Sequence, residues 1–157
     1  MKFEGIMLSV KDAEASKKLY QELFKLELDL DWEFNPVFKG GIILRQGFAD
    51  ILKIPIESVV NKSHSIELVF ETNQFDDFVI KAKNYPGVQF VNKGVIEQPW
   101  GQRVLHIYDL DGHIIEVGEN FGEVVKRFKE SGMSNDEISN RCGMPLEDVQ
   151  RIIDGDY

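Results

Sequence analysis

Two segments of the chain open with alternating apolar and polar residues and then change to helical spacing. The segment beginning at Gly5 and the segment beginning at Ser65 align at an offset of 60 residues. Such alternation is typical of a half-buried strand, and a match at fixed spacing indicates an internal repeat. The alternating apolar positions are Ile6, Leu8 and Val10 in the first copy and Ile66, Leu68 and Phe70 in the second. Two related modules are therefore predicted.

A helix and three further strands are predicted to follow the first strand of each module. Asp12 is a natural N-cap in the first copy, and Asn73 precedes the apolar positions of the helix in the second. Apolar residues at helical spacing follow the caps, namely Leu19, Tyr20, Leu23 and Phe24, then Phe75, Phe78, Val79 and Ala82. Segments rich in β-branched and aromatic residues come next, at residues 27–34, 36–40, 41–46, 88–94, 103–109 and 113–119.

The last hairpin predicts which side chains share a face of the sheet. Asp109 and His113 flank a three-residue loop with Gly112 in a left-handed position, and this register places His106 opposite Glu116. The buried face is predicted to carry Leu105, Ile107, Ile115 and Val117, and the other face Val104, His106, Tyr108, Ile114 and Glu116. His64 and His113 lie near strand ends, where we expect exposure to solvent.

From about residue 120 the pattern changes to three short helices without strands. Ser134 caps the second helix, Gly143 ends it and Pro145 begins the third. This tail superficially resembles a helix-turn-helix reader of DNA, but nine acidic and five basic residues from Glu119 onward oppose that role. We expect the tail to pack against the main domain or against a second subunit.

Composition indicates an ordinary globular protein and narrows its partners. Of 157 residues, 43% are hydrophobic and 29% are charged, which suffices for a core. The net charge of -9 disfavours binding to nucleic acid or to anionic lipid. No apolar run approaches the roughly 20 residues that cross a bilayer, and no secretory signal is recognisable. We therefore expect a cytoplasmic protein whose partner is a small organic molecule, with Cys142 as a structural residue.

Two motifs of this repeat resemble the vicinal oxygen chelate superfamily, which includes glyoxalase I, bleomycin-resistance proteins and extradiol dioxygenases. The motifs are PWGQR at residues 99–103 and DLDGHIIEVGE at residues 109–119, with Leu110 where proline is usual. The resemblance implies an α/β (α+β) fold, in which two βαβββ modules form a curled mixed sheet around a cleft. It also implies a homodimer.

The resemblance covers residues 3–119 and sets the expected domain boundaries. Residues 1–119 would form a glyoxalase/bleomycin-resistance-like domain, with modules at about 3–60 and 64–119. Residues 120–157 would form a helical C-terminal extension.

Metal-dependent members of the superfamily take four ligands from the first and last strands of the two modules. Transferred to this sequence, the ligand positions fall on Gly5, Leu44, Ser65 and Glu116. Only Glu116 is a metal-ligating residue, whereas zinc, nickel and iron sites need at least three protein ligands. We therefore expect that the inherited metal site is lost and that no cofactor is bound.

Glu67 and His106 share the predicted face of Glu116, which leaves two catalytic alternatives. The three residues could form a rebuilt site for a divalent metal (Zn, Ni or Fe) in a glyoxalase I-like lyase or isomerase. Without a metal, His106 paired with a carboxylate could accept and return a proton. A developing enediolate would then need a donor, for which Gln102 and Arg103 are the candidates.

Binding without chemistry is the competing interpretation, and the missing ligands favour it narrowly. An apolar wall would face a polar one across the cleft; the apolar residues are Met7, Ile42 and Leu44, and the polar ones Glu67, His106, Tyr108 and Glu116. Such a pocket suits an amphipathic or cationic molecule, with Trp100, Gln102 and Arg103 as further contacts. We predict a glyoxalase-related small-molecule-binding protein, and whether it is an enzyme stays open.

Overall fold

A computed structural model describes residues 1–155, which form two mixed β-sheets and six α-helices. The chain divides into two compact units. One comprises residues 1–67, 81–89 and 108–114, and the other residues 68–80, 90–107 and 115 onward. Within the described residues, no helix has the length and apolar character needed to cross a membrane. The mixed α+β class predicted from the sequence is confirmed.

The first sheet follows the predicted order of strand, helix and three strands. Its elements are β1 (Ile6–Val10), α1 (Ala13–Phe24), β2 (Leu28–Leu30), β3 (Val37–Phe38) and β4 (Ile42–Gln46). The strand order is β1-β4-β3-β2, with β1 and β4 parallel. Asp12 caps α1 as expected, since its side chain accepts a hydrogen bond from the Ala15 amide at 2.9 Å.

The register between β1 and β4 corrects one predicted face. Leu8 pairs with Leu44 and Met7 pairs with Ile43, and paired residues point to the same side of a sheet. Leu8 and Leu44 are both buried. Ile42 and Leu44 therefore lie on the core face with Leu8, and the residue that shares the face of Met7 is Ile43. The predicted positions of Ile42 and Leu44 on the face of Met7 are therefore wrong, and the inherited ligand position of β4 corresponds to Ile43, one residue before Leu44.

Two short helical segments after β4 were not predicted. They are α2 (Phe48–Leu52) and a 3-10 turn (Ile56–Ser58). Helix α2 begins at Gly47, whose φ of 70° lies in the left-handed region that glycine adopts readily. A five-residue helix shows too little periodicity to be recognised in the sequence.

The second sheet contains one strand more than its predicted module. Its elements are β5 (Glu67–Thr72), α3 (Phe75–Asn84), β6 (Gln89–Phe90), β7 (Ile96–Glu97), β8 (Arg103–Tyr108) and β9 (Ile114–Glu119). The strand order is β5-β9-β8-β6, and the unpredicted β7 pairs with β8. The four residues assigned to the buried face are buried, as predicted. Val104, which pairs with Ile96 of β7, is also buried although it was assigned to the open face.

The turn between β8 and β9 has the predicted geometry. The Asp109 amide donates to the His113 carbonyl at 3.1 Å, and Gly112 has a φ of 86°. A side chain at position 112 would overlap with the side chain of Asn61. The turn is thus restricted to glycine by its backbone angle and by its close contact with a neighbouring segment.

The described part of the C-terminal tail belongs to the second unit. Its helices are α4 (Phe121–Glu130), α5 (Asn135–Cys142) and α6 (Leu146–Asp154). They enclose an apolar core of their own, made of Val124, Val125, Phe128, Ile138, Val149 and Ile152. Arg141 of α5 pairs with Glu97 of β7 at 2.8 Å, so the tail contacts the sheet, which is one of the two arrangements expected from the sequence.

Glu119, at the end of β9, is the centre of the ion pairs that join α4 to the sheet. This carboxylate is buried and accepts hydrogen bonds from Arg103 and Arg127, each at 2.9 Å. Burial acts to raise the pKa of the Glu119 carboxyl, but the hydrogen bonds and charges of the two arginines outweigh it. The pKa of Glu119 therefore lies below its ordinary value of 4.5.

We expect the Glu119→Gln substitution to destabilise the protein by about 3 kcal/mol at neutral pH, because two arginines lose their shared carboxylate. The difference from wild type should narrow as pH falls below 4.5 and through the lowered pKa of folded Glu119, since the protonated carboxyl is then uncharged like glutamine. Urea unfolding at several pH values measures both effects. Glu130→Gln, at an exposed glutamate, serves as the control and should change stability by less than about 0.5 kcal/mol.

Candidate functional site

His106 and Glu116 form a partly buried pair on adjacent strands. His106 lies on β8 and Glu116 on β9, and His106 Nε2 is 2.9 Å from Glu116 Oε2. The two side chains are 18% and 23% exposed, so solvent and a small ligand can reach them. The His106 carbonyl accepts a hydrogen bond from the Val91 amide at 2.9 Å, which fixes the backbone beneath the imidazole. The predicted pairing of these two residues is confirmed.

Glu67, the first residue of β5, brings a second carboxylate to this pair. One ligand atom from each of Glu67, His106 and Glu116 lies within 4.8 Å of the other two. A zinc ion with ligands at about 2.1 Å needs ligand atoms roughly 3.4 Å apart, so small side-chain rotations would be required. Two carboxylates and one imidazole are a donor set that Zn²⁺, Ni²⁺ and Fe²⁺ accept. The three residues thus fit a metal ion in chemistry and approximately in spacing.

The other inherited ligand positions offer no metal ligand. A Cβ atom on Gly5 would overlap with the Gly41 carbonyl oxygen, so the backbone leaves no room for a histidine at position 5. The corresponding β4 residue on the face of Met7 is Ile43, which is apolar. The Ser65 hydroxyl is hydrogen-bonded to the Ser63 hydroxyl at 3.1 Å. Only Glu116 keeps a ligating group.

The predicted apolar wall is only partly available to a ligand. Met7 is well exposed and Ile42 is half-buried, whereas Leu44 has no accessible surface. Leu44 therefore belongs to the core, in line with its register beside Leu8.

Arg103 and Gln102 hold the second unit together. Arg103 bonds to Glu119 and, at 2.9 Å, to Asp76, and its guanidinium lies 5.0 Å from the centre of the Phe75 ring. Gln102 donates to the Glu119 carbonyl at 2.9 Å and accepts from Trp100 Nε1 at 3.2 Å. These partners occupy the groups that were expected to stabilise an enediolate.

Trp100 and Tyr108 have different surroundings. Trp100 is 40% exposed, so its ring can contact a ligand. Tyr108 is buried, its hydroxyl is hydrogen-bonded to His64 Nε2, and the Lys62 ammonium lies 4.4 Å from the centre of its ring. His64 is exposed, as predicted.

His113 is a polar residue whose environment sequence reasoning missed, because it was expected in solvent. Its Nδ1 lies 2.8 Å from the carboxylate of buried Asp109, which also accepts from the Tyr20 hydroxyl at 3.0 Å. Burial lowers the pKa of His113, but the hydrogen bond and charge of Asp109 raise it by more, so the net pKa is above 6.5. The i, i+4 spacing of Asp109 and His113 across the turn is the sequence feature from which this pairing could have been predicted.

The first unit contains a cavity of about 530 Å³ that the sequence did not predict. It is bounded by the end of β1, the start of α2, residues 56–66 and the turn at residues 111–114. A volume of this size is within the range of small-molecule sites.

The sequence model of the glyoxalase-like domain family matches residues 3–122. The chain belongs to this family. It is therefore a member of the vicinal oxygen chelate superfamily, whose members bind small molecules. Its glyoxalase-like domain carries the His106–Glu116 pair, and most of the helical tail lies beyond the matched residues.

Solved structures support the same fold. A protein of unknown function from Agrobacterium tumefaciens str. C58 is 30% identical over 76% of this chain and 94% of its own, with a TM-score of 0.63. A glyoxalase/bleomycin resistance protein/dioxygenase family enzyme from Burkholderia phytofirmans PsJN is 12% identical over 76% of this chain and 98% of its own, with a TM-score of 0.63. A lactoylglutathione lyase from Agrobacterium tumefaciens is 18% identical over 76% of this chain and 93% of its own, with a TM-score of 0.54. Comparison with curated proteins finds no significant match.

We predict that Asp109→Asn lowers the pKa of His113, because the anion that stabilises the imidazolium is replaced by a neutral amide. In wild type, the pair stabilises the fold fully below pH 6.5 and less as pH rises through the elevated pKa of His113. An NMR titration of the histidine ring protons measures the pKa directly. Asp77→Asn, at an exposed carboxylate on α3, is the control; an equal response of His113 to both variants would contradict the assignment.

Proposed function

We propose that this glyoxalase-like protein binds a small organic molecule at the His106–Glu116 pair without using the inherited metal site. The observation that carries the proposal is the close contact between Gly5 and Gly41, because a histidine at position 5 would overlap with the Gly41 carbonyl oxygen. Ile43 and Ser65 offer no strong ligand at two more of the inherited positions. These three residues stand where the family resemblance implies metal ligands, and this supports the proposal.

Charge favours a ligand with a cationic or hydrogen-bond-donating group. Glu67 and Glu116 contribute two carboxylates close to one imidazole. An ammonium or amidinium group could bond to both acids, while an aromatic body could lie against Trp100 or another apolar contact. The proposed ligand is therefore an amphipathic amine.

Arg103 supports binding rather than isomerisation. A glyoxalase-type proton transfer needs positive charge or a donor beside the developing enediolate. Arg103 is held by Glu119 and Asp76, and Gln102 is held by the Glu119 carbonyl. The His106–Glu116 pair can hold a proton, but the two donors proposed to complete the reaction are bonded elsewhere.

We further propose, from the family resemblance, a homodimer in the cytoplasm.

Aromatic amines provide a direct test of the binding proposal. We expect benzylamine and phenethylamine to give saturation-transfer NMR signals with wild type, and Glu116→Gln to weaken their binding at least tenfold. Benzoate and phenylacetate, which have similar apolar bodies and the opposite charge, should bind more weakly than the amines. Glu130→Gln removes an exposed carboxylate and should leave binding unchanged.

Two results would contradict this proposal. One is the absence of amine binding to wild type, and the other is equal binding to wild type and to Glu116→Gln. A melting curve for each variant shows whether a loss of binding reflects loss of the fold.

A metal-dependent lyase or isomerase is the second candidate, favoured by the spacing of Glu67, His106 and Glu116. These residues would hold a divalent ion, which would polarise a substrate carbonyl as a Lewis acid. Glu67 and Glu116 would supply the negative charge of the site, and His106 its neutral nitrogen ligand.

Metal titration distinguishes the two candidates. Equilibrium dialysis against Ni²⁺, Zn²⁺ and Co²⁺, followed by elemental analysis, should give well below one ion per chain if the first proposal holds. Uptake of one ion per chain that is lost in both His106→Gln and Glu116→Gln would establish the metal-dependent candidate instead. Glu130→Gln is again the control for removal of a carboxylate.

A further inference from the structure

The cavity of the first unit has an apolar wall that is open to solvent. Ile56, Val60 and Ile66 line it and are all more than half exposed. Phe48 and Val10 contribute further apolar surface. Large aliphatic side chains left exposed around a concave surface indicate a surface that an apolar group covers.

The polar residues of the cavity include an ammonium group and an imidazole ring. His113 lines it, and because Nδ1 is bonded to Asp109, Nε2 is the ring nitrogen that remains for a ligand. Lys11 also lines it, and its ammonium forms no ion pair with residues 1–155. Its backbone amide is bonded to Asp111 at 3.0 Å, which fixes the position of the residue.

Two of the three acidic groups near the cavity, Asp109 and Asp111, are engaged in hydrogen bonds. Asp111 is buried and accepts hydrogen bonds from the Lys11 amide and, at 3.1 Å, from the Ser16 hydroxyl. Asp109 is occupied by His113, Tyr20 and two backbone amides. Asp50, in the first turn of α2, also lines the cavity, but it is exposed, so solvent screens its charge. His64 is bonded to Tyr108. Lys11 and His113 are therefore the groups best placed to attract a charged ligand.

We propose that this cavity binds an organic carboxylate with an apolar body. Its carboxylate accepts hydrogen bonds from His113 Nε2 and the Lys11 ammonium, and its hydrocarbon part covers Phe48, Ile56 and Ile66. This site is independent of the His106–Glu116 proposal, because none of the three residues Glu67, His106 and Glu116 lines the cavity.

Displacement of a fluorescent anion tests the ligand class. The probe 8-anilinonaphthalene-1-sulfonate should become fluorescent with the folded wild-type protein, and octanoate, octanol and octylamine should then compete for its site. We expect octanoate to displace the probe at concentrations at least tenfold lower than octanol, and octylamine to be the weakest competitor. Equal displacement by the three compounds, or no fluorescence, would overturn the proposal.

Substitutions locate the site on the protein. Ile56→Glu should weaken probe binding at least tenfold, whereas Ile51→Glu should not, because Ile51 is similarly exposed (54% against 67%) and does not line the cavity. Equal losses in both variants, or none in either, would show that the probe binds elsewhere.

Lys11 and His113 are tested by the difference between charged and neutral competitors. Lys11→Gln and His113→Gln should each weaken octanoate several-fold and leave octanol unchanged. Lys11 is exposed, so its variant keeps the proposal testable if loss of the His113–Asp109 bond reduces stability. An unchanged octanoate affinity in Lys11→Gln would refute the assigned carboxylate position. Glu116→Gln should leave octanoate binding unaffected, which separates this result from a failure of the amine-binding proposal.

Discussion

The turn between β8 and β9 depends on the hydrogen bonds of one buried carboxylate, that of Asp109. It accepts hydrogen bonds from the amides of Asp111 and His113, from the Tyr20 hydroxyl and from the His113 ring. Because an unpaired buried carboxylate is costly, these four partners strongly favour one conformation of the loop. The loop in turn fixes the pairing of the strands, and that pairing places His106 beside Glu116.

A second buried carboxylate performs a comparable role at the far end of β9. Glu119 binds Arg103 of the sheet and Arg127 of α4, so charge attaches the helical tail to the sheet, while an apolar core joins the three tail helices to one another. Arg141 and Glu97 extend the same set of ion pairs to α5. The tail is thus integrated with the second unit, although the acidic composition that argued against a DNA role gave no indication of these particular contacts.

Local patterns predicted the fold better than they predicted the site. Alternation, an N-cap at Asp12 and the turn at Gly112 depend on neighbouring residues, and each was confirmed. The core position of Leu44 depends on parallel pairing with β1, a long-range choice that alternation leaves ambiguous by one residue. Arg103 was expected near the reactive pair, but Asp76, 27 residues away, and Glu119 bind it. Contacts between distant segments carry no signature in a single sequence.

The close approach of Gly5 to Gly41 constrains how this protein can change during evolution. Ile6 donates its amide to the Gly41 carbonyl at 2.7 Å, so the two glycines lie where β1 and β4 begin to pair. A substitution of histidine at position 5 would disturb this junction, because its Cβ atom would overlap with the Gly41 carbonyl oxygen. A histidine at position 5 therefore requires a shift of the backbone first, whereas substitutions at accessible side chains can change the chemistry of the surface without one.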